Sequence, residues 1–180
     1  MSSAAGQPLR RLLLAATMAA ASFAAPARAG ELFGGLFAHD VDWITASGEE
    51  HGLDVELGWR GARILRALGG PRPYAFVSLN SAGQTHFAAA GLSWRIGHPV
   101  YVRPGIGLAV HTGPGRFDST GRRIWLGSRI LFEPEIGIGL RLNPRVSVEA
   151  SWVHLSHAQL FSEENPGLDT VGLRFNYQFR

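Results

Sequence analysis

The chain has 180 residues, no cysteine, and 17 basic residues, every one an arginine, against 14 acidic ones. The absence of thiols excludes a disulfide framework, thiol catalysis and cysteine metal ligands. No stretch is apolar for long enough to form a membrane-spanning helix, which excludes a helical membrane protein.

Arg10 and Arg11 precede an apolar run from Leu12 to about Ala25, followed by Pro26 and the small-residue site Ala27-Arg28-Ala29. This order is that of a secretory signal peptide, residues 1–29, cut after Ala29. Its three arginines leave with it, so 14 basic residues face 14 acidic ones in the remainder. A balanced charge gives no case for nucleic acid as a partner. Residues 30–180 have the length of a single domain.

From Glu31 onward the chain consists of short segments with period-two alternation, separated by clusters of Gly, Pro, Asn, Asp and Ser. The alternation predicts strands at 31–40, 51–61, 72–80, 85–96, 99–111, 127–142, 145–157 and 167–179, eight in all, and no amphipathic helix of useful length. Short breaks fall at Ser81-Ala82-Gly83-Gln84, Gly97-His98-Pro99 and Asn143-Pro144. Longer polar ones fall at 41–50, 112–126 and 158–166, and the break at 62–71 is also long. An even number of strands, joined by short turns on one side and long loops on the other, predicts an all-β fold: an eight-stranded antiparallel transmembrane barrel of the outer-membrane type.

Which face of the sheet is apolar matters for that choice. Leu53, Val55, Leu57 and Trp59 alternate with Asp54, Glu56, Gly58 and Arg60; Val100, Val102, Pro104, Ile106 and Leu108 alternate with Tyr101, Arg103, Gly105, Gly107 and Ala109. A soluble barrel would turn the apolar set inward. The opposite set carries Glu56, Arg60, Arg103, Glu135, Arg141, Arg145, Glu149 and Arg174, which suit a narrow lumen of paired ions. Trp59, Trp94, Trp152, Tyr177 and Phe179 near strand ends suit interfacial girdles.

The last two strands break the pattern. Val146, Val148, Ala150 and Trp152 form an apolar face that continues into His154 and Ser156, and in the final strand Asp169 heads the series Val171, Leu173, Phe175, Tyr177, Phe179. Polar and ionisable groups on a lipid-directed face are disfavoured and usually functional. His154 and Ser156 are two apart, so their Cα atoms lie ~6.5 to 7 Å apart on one face. A hairpin centred in 158–166 brings Asp169 opposite or diagonal to His154. Nucleophile, base and orienting acid are then all at hand, which is the logic of a catalytic triad. The bland reading is that these residues mark where the strands leave the membrane.

The stretch His154-Leu155-Ser156, followed by Asn165-Pro166-Gly167-Leu168-Asp169 and an amphipathic final strand, resembles the end of the PagL-type lipid A 3-O-deacylases, a family also grouped with acyloxyacyl hydrolases. The resemblance is strongest over 145–179 and looser before it, where Pro104-Gly105-Ile106-Gly107 and Glu135-Ile136-Gly137-Ile138-Gly139 are compatible with it. It implies that Ser156 is the nucleophile, His154 its base and Asp169 the acid, a position where the family often carries Glu. The chain departs from the family pattern after the serine, where Asn and, two positions on, Gly are common; here stand His157 and Gln159. The oxyanion donors stay unassigned.

The resulting expectation is an outer-membrane carboxylic ester hydrolase that removes an ester-linked acyl chain, at the 3-O position, from lipid A. It calls for no cofactor and no metal. Its partners are lipid A or lipopolysaccharide as substrate and outer-membrane lipid, with a homodimer left open. The alternatives are a non-catalytic small outer-membrane barrel of the adhesin or structural kind and a soluble periplasmic lipid-binding barrel.

Overall fold

A computed structural model describes residues 30–42, 50–114, 123–157 and 167–179. The leader expected at 1–29 and the break expected at 158–166 lie outside them. Eight strands follow one another in chain order: β1 Gly30–Ala38, β2 Leu53–Arg60, β3 Arg72–Asn80, β4 Phe87–Ser93, β5 Val100–His111, β6 Ile130–Arg141, β7 Val146–Leu155 and β8 Leu168–Phe179. Each pairs antiparallel with the next, and β8 pairs with β1, closing the barrel. Closure leaves no strand edge unpaired, the condition for crossing a bilayer with strands.

The strands fall where alternation places them, with ends trimmed for local reasons. β1 stops before Asp40, whose backbone turns to φ 53° while its carboxylate accepts the Glu50 amide at 2.7 Å. β6 starts after Gly127 (φ 70°). The long break between β2 and β3 holds a single 3-10 turn, Arg66–Leu68, capped against β4's end by Trp94 Nε1 donating to Leu68 O at 2.9 Å.

Apolar side chains point outward. Leu57 is 64 % exposed, and Val100, Ile138 and Phe175 are each 60 % exposed. Placing so much apolar surface in water is unfavourable at roughly 25 cal/mol per Å², so the wall is built for hydrocarbon. This overturns the soluble lipid-binding alternative, which needs that face inside.

The lumen is filled rather than open. Arg103 binds Glu149 through Nε at 2.9 Å and Glu135 through Nη1; Arg174 binds both oxygens of Glu56, at 2.6 and 2.8 Å, and reaches Glu135 at 3.0 Å. The Arg174 guanidinium also lies 4.7 Å from the Phe33 ring centre, so aromatic faces and carboxylates share its charge. Gly137 and Gly139 are the inward residues of β6 where Glu149 and Tyr101 lie flat; a Cβ at either would collide with them. Two of the lumen residues expected from sequence belong elsewhere. Arg145 is exposed and Arg141 half-buried at the rim, while Glu31 and Glu133, not expected there, are buried inside.

Connections β1–β2, β3–β4, β5–β6 and β7–β8 gather at one end. The two chain ends and the other three connections gather at the opposite one.

Candidate active site

β7 and β8 pair over ten positions, from Val146↔Tyr177 to Leu155↔Leu168, and this register sets His154 directly opposite Asp169. Among antiparallel neighbours directly opposed side chains share a face and touch. His154 Nδ1 lies 2.9 Å from Asp169 Oδ1. Just beyond β7, Ser156 is held to β6 by its backbone, its N–H donating to Phe132 O at 3.1 Å and its O accepting from Phe132 N at 2.7 Å. His154 and Asp169 are therefore brought together at the loop-bearing end, while Ser156 lies two residues on, bridged to Phe132 of β6, and its hydroxyl makes no hydrogen bond to His154 among the described residues.

All three are covered. His154 is 9 % exposed, Ser156 8 % and Asp169 0 %. One cover is Trp152, whose ring stacks on the His154 imidazole with centroids 5.7 Å apart and planes inclined at 20°. Its indole Nε1 also donates to Asp169 Oδ1 at 2.8 Å. The pairing of β1 with β8 runs on past Ala38, with Val41 N–H donating to Asp169 O at 2.9 Å. Trp152, expected in an interfacial girdle, also belongs to this cluster. The signal that could have found it was its parity, shared with His154.

The chemistry of the cluster follows from its donors. A proton on Nδ1 directed at the carboxylate would leave Nε2 of His154 with its lone pair. Of the residues considered as oxyanion donors, His157 is buried on the opposite parity and Gln159 lies outside the described residues.

Compared with known proteins, residues 38–178 match the family model of "Lipid A 3-O-deacylase (PagL)". The chain belongs to that family. A stretch of 86 residues is 35 % identical to the lipid A deacylase PagL of Bordetella bronchiseptica, covering 48 % of this chain and 45 % of that protein, so the chain spans under half the length of this relative. The crystal structure of the outer membrane enzyme PagL superposes with a TM-score of 0.61 at 21 % identity, over 82 % of this chain and 98 % of the other, a likeness of fold. The outward apolar wall and the family together make this chain an outer-membrane barrel.

A second polar cluster, not foreseen from the sequence, closes the same end of the PagL-type lumen. His39 bridges two carboxylates, reaching Asp54 through Nδ1 at 2.9 Å and Glu50 through Nε2 at 3.0 Å. Glu50 also receives Thr85 N and Thr85 Oγ1, each at 2.9 Å, and Arg123 Nε at 2.9 Å. Burial by itself would lower the His39 pKa, but the hydrogen bonds and charges of Asp54 and Glu50 overcome it and raise it to about 9. For Glu50 burial works upward, and the donors from His39, Thr85 and Arg123 bring it down to about 2. The cluster ties the ends of the β1–β2 connection to β2, to the start of β4 and to the β5–β6 connection.

Proposed function

We propose that this barrel is a carboxylic ester hydrolase that removes an ester-linked acyl chain from lipid A, at the 3-O position, using Ser156, His154 and Asp169 on its lipid-directed wall. The reading is carried by one observation: a histidine paired at 2.9 Å with a buried carboxylate, two residues from a serine, in a chain from the lipid A 3-O-deacylase family.

In the reaction Ser156 Oγ attacks the ester carbonyl carbon while its proton passes to His154 Nε2. The tetrahedral intermediate collapses, the C–O bond to the sugar breaks, and the departing sugar oxygen takes the proton from the imidazolium. Water, deprotonated by the same imidazole, then hydrolyses the acyl-serine and releases the fatty acid. Asp169 keeps the imidazole proton on Nδ1 and steadies the positive charge that forms transiently. The substrate's acyl chains already lie in the bilayer against the apolar wall, which explains how a barrel with a filled lumen can act on a lipid.

The test is a mass spectrum of lipid A from outer membranes with and without the protein. Loss of one acyl chain in cells carrying the wild type, and its return with Ser156→Ala at equal abundance in the membrane, is the expected result. Identical spectra in all three would leave this protein as a non-catalytic barrel.

A further inference from the structure

At the end of the barrel opposite His154 a recess of ≈ 320 Å³ is lined by Ala62, Arg63, Arg72, Arg95, Arg141 and Gln178. Four of the residues lining it are arginines and one is a glutamine, and none of the described residues that line it is acidic. That volume is at the lower end of the roughly 300–1,000 Å³ typical of small-molecule sites.

Among the described residues, the acid paired with these arginines is Glu31, and it is already shared. Its oxygens receive Arg95 Nη2 at 3.1 and 3.0 Å, Arg72 Nη1 at 3.5 Å, and Arg60 Nη1. One negative charge therefore stands among three positive ones. Arg63 and Arg141 have no carboxylate partner among the described residues. The three connections at this end, 61–71, 94–99 and 142–145, contain Arg63, Arg66, Arg95 and Arg145 and no acidic residue, although residues 30–180 are balanced overall. Concentrating like charge around a recess with low-dielectric walls attracts anions.

Two of the four arginines are fixed in place. Arg72 Nε donates to Gly61 O at 2.7 Å, and the Arg95 guanidinium lies 4.4 Å from the Tyr101 ring centre while it holds Glu31. The Arg95 side chain is only 10 % exposed. Planar guanidinium forks held in position match the paired oxygens of a carboxylate or a phosphate, and four of them around one recess suit the more highly charged phosphate.

We propose that this recess is a phosphate-binding site, held by Arg72 and Arg95 and completed by Arg63 and Arg141. In an outer-membrane barrel the end with the shorter turns faces the periplasm. The phosphate is therefore either a soluble periplasmic one or the headgroup of an anionic phospholipid of the inner leaflet. The site is separate from the acyl-transfer chemistry and does not depend on it.

The experiment uses the whole barrel in phosphatidylcholine nanodiscs, with inorganic phosphate titrated by calorimetry at low ionic strength and phosphatidylglycerol retention followed by native mass spectrometry. Arg63→Gln with Arg141→Gln is the informative variant, because neither arginine holds Glu31; Arg141→Gln alone serves if the double variant does not fold. Saturable phosphate binding, weakened at least tenfold in the variant and unchanged in Ser156→Ala, is expected. If phosphatidylglycerol in the disc abolishes the phosphate isotherm, the headgroup is the occupant; if the isotherm persists, a soluble phosphate is. Absence of saturable binding of either probe, or binding undiminished in the variant, overturns the proposal.

Discussion

The indole Nε1 of Trp152 donates to Asp169 Oδ1 at 2.8 Å, the same oxygen that stands 2.9 Å from His154 Nδ1. One carboxylate atom thus serves two donors from one strand, and its direction is set by both. The arrangement makes Trp152 a positioning residue for the proposed acid.

Trp152→Phe keeps the ring over His154 and removes only the N–H donor. Loss of one hydrogen bond to a charged group costs about 1.5–3 kcal/mol, so acyl release should slow by roughly 10- to 150-fold in kcat. KM should change little, since the indole N–H faces the carboxylate rather than substrate. Steady-state rates on lipid A in mixed micelles decide this; a change confined to KM would mean that Trp152 contacts the acyl chain instead.

Ser156→Ala should fold normally, because it is the backbone of Ser156, not its hydroxyl, that joins β6 through Phe132. Release of the acyl chain should nonetheless fall to background. Measuring both the heat-modifiable migration of the folded barrel and the freed fatty acid separates loss of fold from loss of the nucleophile.

At position 169 the proposed acid role makes opposite forecasts for two substitutions. Asp169→Asn retains the shape but not the charge and favours the wrong imidazole tautomer, a change that in the serine-protease triad lowers turnover by ~10⁴. Asp169→Glu should keep measurable activity, as the family resemblance implies. Equal rates for Asn and Asp at 169, with Ser156→Ala inactive, would show that the working unit is a dyad.

The His39 cluster carries a pH signature. His39 titrates near 6.5 when exposed and at about 9 in the folded barrel, so its stabilisation is complete below about pH 6.5 and is lost as pH rises through about 9. Glu50, lowered to about 2, contributes above about pH 4.5 and loses its contribution only as pH falls through about 2. Raising the pH from 7 to 10 should therefore lower the unfolding free energy in detergent by about 1–3 kcal/mol. His39→Gln should remove most of that dependence, as read from urea midpoints of tryptophan fluorescence at both pH values.

Inside the lumen, Arg174→Met should cost about 3–5 kcal/mol, because it leaves Glu56 buried without its cation, while Glu135 keeps Arg103. Adding Glu56→Gln should restore part of the loss. A double variant no more stable than the single one would place the penalty in the lost packing against Phe33, Phe37 and Phe76 rather than in the charge.

Much of this molecule is local and so could be read along the chain. Period-two alternation is a property of each strand alone, and it separated the outward Leu57, Val100 and Phe175 from the inward Glu56, Arg103 and Arg174 before any strand had a neighbour. Parity likewise put His154, Ser156 and Asp169 on one face, and turn lengths put them at the loop-bearing end. What parity cannot supply is register between strands and the direction of long side chains. The pairing that brings Asp169 against His154, the turn of the Trp152 indole onto the same carboxylate, and the meeting of His39, Glu50 and Asp54 from both sides of the β1–β2 connection all depend on it. So does the exclusion of Arg141 and Arg145 from the lumen: alternation assigns a face, but only the closed barrel decides where along its axis a residue ends, and whether the carboxylates it would need are within reach.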